Sequence, residues 1–221
     1  MLLRILAREA SRLLGRAGEN QAIELPEVVR RHGSWHHDDL EWMAGMVHDV
    51  PGDFAEVGVF RGAAFRKLAA LATLQGKPAH AFDSFAGMDT PTEADGMHYP
   101  KGKFDIGGPA QFERLMTDAG VPRASYRIWA GYVPACFAQA PDTLRFAFAI
   151  LDLDHYQPTG ESLAWLAPRI NDGGLLALDD FVPSHDMLAT RAINEFLAAD
   201  HHFEKIAFFN QQLILRKRAS R

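Results

Sequence analysis

The spacing of apolar and polar positions changes repeatedly along the chain, and each change marks an element. Leu40, Met43, Ala44 and Val47 recur at helical intervals, which predicts a helix over 36–50 capped by Asp38 or Asp39. DFAEVGVF (53–60) then reads as a strand, and RGAAFRKLAALATLQG (61–76) as a helix ended by Gly76. AHAFDSF (79–85) is a second strand, QFERLMTDAG (111–120) a helix and SYRIWAG (125–131) a third strand. RFAFAILDLD (145–154), ESLAWLAPRI (161–170) and GLLALDD (174–180) continue as strand, helix and strand, and HDMLATRAINEFLAAD (185–200) as a helix. FEKIAFF and QLILRKR close the chain as a hairpin around Asn210 and Gln211. Alternation of this kind predicts an α/β fold: a doubly wound, mostly parallel sheet of seven strands that ends in an antiparallel hairpin.

Residues 86–110 interrupt the rhythm. They hold five Gly and three Pro with little periodicity, so they read as a long loop of the kind that serves as a lid or binding segment. No repeat, low-complexity run or linker divides the chain. It is expected to be a single domain over 1–221, with N-terminal helices over 1–50 and the core sheet over 51–217. In MLLRILAREASRLLGRAG, arginines recur every four residues among leucines. That stripe suits a helix packed on the domain or on a sister subunit, which would make a homodimer; a basic helix on a membrane surface and a free tail are the alternatives. Arginine breaks the apolar run that a secretory signal needs.

Composition narrows the field. Hydrophobic residues make up 48% of 221, with 15 Phe and 4 Trp, enough for a sizeable core. A net charge of −5 argues against a nucleic-acid groove. The single cysteine, Cys136, forbids an internal disulfide and points to a reducing, cytoplasmic setting. No apolar run reaches the roughly 18 residues of a transmembrane span.

The chemistry concentrates at strand ends. Asp152 and Asp154 follow Phe146–Leu151, and Asp179 and Asp180 follow Gly174–Leu178. In open α/β sheets ligands sit at the carboxyl edge, and carboxylates crowded there need a cation or a donor array. Neighbouring fourth and fifth strands would bring Asp154, Asp179 and Asp180 onto one ion, with Asp152 as a supporting acid. All-oxygen ligands suit Mg²⁺, Mn²⁺ or Ca²⁺ rather than zinc. In EVGVFRG, Gly58 and Gly62 match only part of a dinucleotide glycine pattern, and Glu56 beside the glycine turn suits a cofactor carrying a positive amino group. Asp83, ending the second strand, can accept the hydroxyls of a ribose or cap a turn. His98 and Lys101 lie in the long loop within reach of a substrate. His36-His37-Asp38-Asp39 reads as a helix start, and no serine or cysteine sits in a nucleophile motif.

GDFAEVGVFRG, AFDSFAGM, LDLDHYQPT and GGLLALDDF, in this order and spacing, resemble the macrocin O-methyltransferase family, over about residues 52–215. The resemblance implies a Rossmann-like methyltransferase fold, S-adenosylmethionine as methyl donor, Mg²⁺, and a small hydroxylated acceptor such as a natural-product sugar. It implies that Glu56, Gly58 and Gly62 frame the methionine end of the cofactor. Asp83 would hold the ribose, Ser84 and Phe85 would lie near the adenine, and Gly131 and Tyr132 would flank it, with His155 beside the cofactor. Asp154, Asp179 and Asp180 would bind the metal, and Asp154 would also take the substrate proton. Ala63 and Ala64 replace small polar residues often found after the glycine turn. A nicotinamide oxidoreductase lacks its glycine pattern and proton relay here, and a phosphotransferase lacks a phosphate loop. A cofactor-binding protein that is non-catalytic or metal-independent is the remaining alternative.

Overall fold

The computed structural model describes residues 37–95, 99–184, 186–199 and 202–219. The arginine-striped segment, the dimer contact expected of it, and His36, His98 and His201 lie outside the described residues. Helix α1 (His37–Met46) leads into β1 (Asp53–Val57), followed by α2 (Ala63–Leu74), β2 (Ala79–Asp83), α3 (Pro109–Asp118) and β3 (Tyr126–Ala130). Then come β4 (Phe146–Leu151), α4 (Tyr156–Leu166), β5 (Ile170–Leu178), α5 (Leu188–Ala198), β6 (Phe203–Phe209) and β7 (Gln212–Lys217).

The strands form one seven-stranded sheet in the order β3-β2-β1-β4-β5-β7-β6. The first five are parallel, and β7 pairs antiparallel with both β5 and β6. Alternate strand residues serve opposite faces. Phe54, Phe148, Ile150, Leu175 and Ile214 pack with α1, α2 and α3. Ala55, Val57, Leu151, Leu176, Leu178 and Leu215 pack with α4 and α5. Covering both faces explains why FAFAIL is apolar at every position and buried throughout. The strand order reverses between β1 and β4, which opens a crevice at their carboxyl ends.

The doubly wound reading and the terminal hairpin hold. Asn210 and Gln211 take φ of 47° and 65°, the two-residue turn whose twist matches a hairpin. Boundaries differ where strands meet the crevice. β1 stops at Val57 because Gly58 turns to φ 85°, and β4 stops at Leu151, before the acids. Helix α4 starts at Tyr156 rather than Glu161. Pro158 is no breaker there, because it sits in the first turn, where its missing N–H has no intrahelical partner.

Near the opposite edge a polar chain is buried between strands. Trp129 Nε1 donates to His80 Nδ1 at 3.0 Å, and His80 Nε2 donates to Asp53 Oδ2 at 2.9 Å. The Trp129 and His80 rings stack with centroids 5.9 Å apart. Trp129→Phe leaves the imidazole nitrogen buried without its donor. It is expected to cost about 1–2 kcal/mol of unfolding free energy, measurable by urea denaturation.

Candidate active site

The first wall of the crevice is the turn after β1. A Cβ on Gly58 would lie 1.7 Å from the Asp152 carbonyl oxygen, so only glycine lets β1 and β4 approach this closely. Asp83 braces the same turn from β2. Its Oδ2 accepts the N–H groups of Val59 (2.7 Å) and Phe60 (2.8 Å), and its Oδ1 accepts that of Phe85 (2.6 Å). The turn-capping alternative for Asp83 is therefore realised, and acceptor capacity for a further donor remains on Oδ1. Beneath the turn Glu56 is 2% exposed, and its Oε2 has no hydrogen-bond partner. Burial first, then Asp83 and Asp179, push its carboxyl well above the usual range, with Lys67 opposing.

The second wall is acidic. Register pairs Leu151 with Leu178, so Asp152 and Asp179 leave the sheet side by side. Asp154 and Asp180 then both take left-handed backbone, φ 58° and 57°, which turns their carboxyls together. One oxygen each from Asp152, Asp154 and Asp180 lie within 4.8 Å of one another. Asp179 is not one of these three. The expected set is Asp154, Asp179 and Asp180 with Asp152 in support; the three brought within 4.8 Å of one another are Asp152, Asp154 and Asp180, and Asp179 lines the cavity beside them. The physical reason is that β4 does not continue past Leu151, so strand alternation no longer places Asp152 and Asp154.

No lysine or arginine pairs with these acids among the described ion pairs. Burial and then Asp180 push Asp154 up to about 7. Burial and then Asp180 push Asp179 up to about 6. Asp152 is raised well above the ordinary range by burial and by Asp179, and Asp180 is raised by burial. Carboxylates held together at this cost are those that a cation would relieve. The buried Asp180 Oδ2, without a hydrogen-bond partner, fits the same group.

Between the two walls lies a cavity of about 360 Å³. Gly58, Asp83, Ser84, Gly131, Tyr132, Asp154, His155 and Asp179 line it, as expected, together with Asp152. Four expected residues do not: Glu56 lies buried beneath the turn, Asp180 reaches the acids from behind the lining, and Gly62 and Phe85 serve packing. Phe85 is buried against Phe112, with ring centroids 4.8 Å apart, and belongs to the core. A Cβ on Gly62 would meet the Met116 side chain at 2.4 Å, so this glycine admits α3 rather than a ligand. Lys101 is 65% exposed and reaches Asp89 at 3.4 Å on the surface.

The 86–110 segment is less irregular than its composition suggests. Ala86 bridges Asp105, and Met88 N donates to the Lys103 carbonyl at 2.7 Å, which makes a short two-stranded arm. The arm brings Met88, Thr90 and Phe104 to the cavity. Tyr99 follows, its hydroxyl raised above the ordinary phenol range first by Asp154 and then by burial. Phe60, Phe104, Tyr99 and His155 form a chain of rings with centroids 5.3, 5.6 and 5.9 Å apart. Sequence reasoning missed Tyr99 and Asp95; the only signal for either was its place in a long loop.

A family model described as macrocin-O-methyltransferase (TylF) matches residues 38–207. A curated relative from Streptomyces olivaceus, 8-demethyl-8-(2,3-dimethoxy-alpha-L-rhamnosyl)-tetracenomycin-C 4'-O-methyltransferase, is 30% identical over 186 residues, covering 77% of this chain and 67% of the relative. The structure of the O-methyltransferase NovP superposes with a TM-score of 0.68 at 20% identity, covering 99% of this chain and 98% of that one. The calicheamicin methyltransferase CalS11 gives 0.66 at 24% identity, with 96% and 91% covered. At these identities the two structures speak for the fold. No helix among the described residues is long and apolar enough to cross a membrane.

Proposed function

Because the chain belongs to the macrocin-O-methyltransferase (TylF) family and is an S-adenosylmethionine-dependent O-methyltransferase, we propose that it methylates a hydroxyl of a natural-product sugar with the help of a divalent cation. The observation that carries the cation reading is the convergence of Asp152, Asp154 and Asp180 beside the Gly58 turn. The family and the relative's sugar-directed name support the acceptor class.

S-adenosylmethionine supplies an electrophilic methyl group on a sulfonium. Glu56 and Gly58 would hold its amino-acid end, where an ammonium group would complement the unpartnered Glu56 oxygen. Asp83 would offer its remaining acceptor capacity to the ribose. Ser84, Gly131, Tyr132 and His155 would line the rest of the site. Gly62 and Phe85 serve from behind, by letting α3 and the core close on the turn. Asp152, Asp154 and Asp180 would hold Mg²⁺ or a similar ion, with Asp179 beside them at the cavity. The ion supplies Lewis acidity that eases loss of the acceptor's hydroxyl proton.

The chain's own groups do the remainder. Asp154 accepts the proton as the hydroxyl oxygen attacks the methyl carbon. His155, kept below its ordinary pKa by burial against the pull of Asp95, stays neutral and adds no charge beside a cationic donor. Phe60, Phe104 and His155 of the ring chain line the cavity and would limit the access of water to the reacting groups.

Calorimetry tests the reading. S-adenosylhomocysteine should bind, and Mg²⁺ should then bind the complex at one site. Binding of S-adenosylhomocysteine with no uptake of Mg²⁺, Mn²⁺ or Ca²⁺ would favour the metal-independent alternative. Asp83→Ala removes the acceptor of two N–H groups in the turn after β1 and of the Phe85 N–H, and S-adenosylhomocysteine Kd is expected to rise about 100-fold, the equivalent of roughly 3 kcal/mol.

A further inference from the structure

Helix α4 starts without a cap of its own. His155 occupies the cap position with no side-chain hydrogen bond to the helix, and the first turn has no acid. Ser, Thr, Asp or Asn normally fills that position and accepts an orphan N–H. The acceptor here comes from 61 residues earlier in the chain. Asp95 Oδ1 receives the Tyr156 N–H at 2.7 Å and, more weakly, the Gln157 N–H at 3.4 Å. Its other oxygen receives the Thr92 N–H at 2.8 Å and the Thr92 hydroxyl at 2.6 Å. The side chain is buried, and no cation is paired with it among the described ion pairs.

We propose that Asp95 is a positioning residue for methyl transfer: its carboxylate ties the two-stranded arm to the first turn of α4 and so fixes Asp154, two residues upstream of Tyr156. The proposal rests on the cation reading of the acid cluster. The left-handed backbone of Asp154 is held from two sides, by Ala189 N donating to its carbonyl at 3.1 Å and by the start of α4. Without the Asp95 acceptor the first turn frays and Asp154 loses one of these supports. The same break releases the arm that carries Tyr99 and Phe104 over the acids. The Gly58 turn and its Asp83 brace lie on other strands and keep their bonds.

The separation of effects makes the test. Mn²⁺ and S-adenosylhomocysteine affinities are measured by calorimetry for wild type, Asp95→Ala and Asp95→Asn. Asp95→Ala should weaken Mn²⁺ about 10–100-fold, the scale seen when a group that orients a metal ligand is lost. Asp95→Asn keeps an oxygen for the Tyr156 N–H and should fall between. S-adenosylhomocysteine affinity should fall far less than Mn²⁺ affinity in both, because the Gly58 turn and its Asp83 brace keep their bonds, whereas a merely destabilised fold would lower the two together. If Asp95→Ala does not fold, the ratio in Asp95→Asn decides alone. Unchanged Mn²⁺ affinity in the variants overturns the role of Asp95 and leaves the cation reading intact. A wild-type enzyme that takes no Mn²⁺ overturns the cation reading, and the proposal with it.

Discussion

Asp180→Asn is expected to lower methyl transfer by about 10²–10³-fold, the scale of losing one group that stabilises developing charge. S-adenosylhomocysteine binding should survive. Asparagine has the same shape and tolerates the left-handed backbone at φ 57°, so the substitution removes charge and little else. The stability change should have the opposite sign to the activity change. Burial holds the Asp180 carboxyl above its ordinary pKa, so its ionised form destabilises the metal-free fold at neutral pH. Neutralising it should raise the thermal midpoint of metal-free protein. In excess Mg²⁺ the order should reverse, because only the wild type gains the binding energy of the ion. A variant that loses stability in both conditions would point to a structural role for Asp180.

Gly58→Ala should abolish detectable S-adenosylhomocysteine binding and cost at least about 3 kcal/mol of unfolding free energy. Two causes add. The backbone sits at φ 85°, and the new Cβ would lie 1.7 Å from the Asp152 carbonyl oxygen, a backbone atom that cannot swing aside. β1 and β4 would have to part at the crevice proposed to hold the cofactor. Gly62→Ala is the matched control. Its φ is 76°, and its nearest clash is with the flexible end of Met116, at 2.4 Å. It should cost about 1–2 kcal/mol and keep cofactor binding. Calorimetry and urea denaturation of the pair separate a need for close approach from a general cost of left-handed backbone.

The apolar runs made the strands legible, since period two or continuous apolarity survives tertiary context when both faces are buried. The terminal hairpin was legible from Asn210-Gln211. The acids were legible as a group because four carboxylates follow two apolar strands. Their arrangement was not. Whether Asp152 or Asp179 joins Asp154 and Asp180 depends on where β4 ends, and that depends on the left-handed turn at Asp154. Asp83 was legible as an acid at a strand end, but its bonds to Val59 and Phe60 require the β1–β2 register. Phe85 looked like a loop residue beside that acid. Its left-handed backbone, φ 55°, accompanies burial against Phe112 in the core. Asp95 gave no local signal at all, because a cap supplied across 61 residues leaves only a weak trace: a helix start with a histidine where a capping residue belongs.

Chelation tests the cation-assisted reaction most directly. Initial rates would be measured with saturating S-adenosylmethionine and a sugar-bearing acceptor on which the enzyme with Mg²⁺ present turns over. Excess EDTA should lower the rate about 100-fold or more, consistent with the several kcal/mol a Lewis acid contributes, and Mg²⁺ should restore it. A full rate in EDTA would contradict the assignment of Asp152, Asp154 and Asp180 as a metal site.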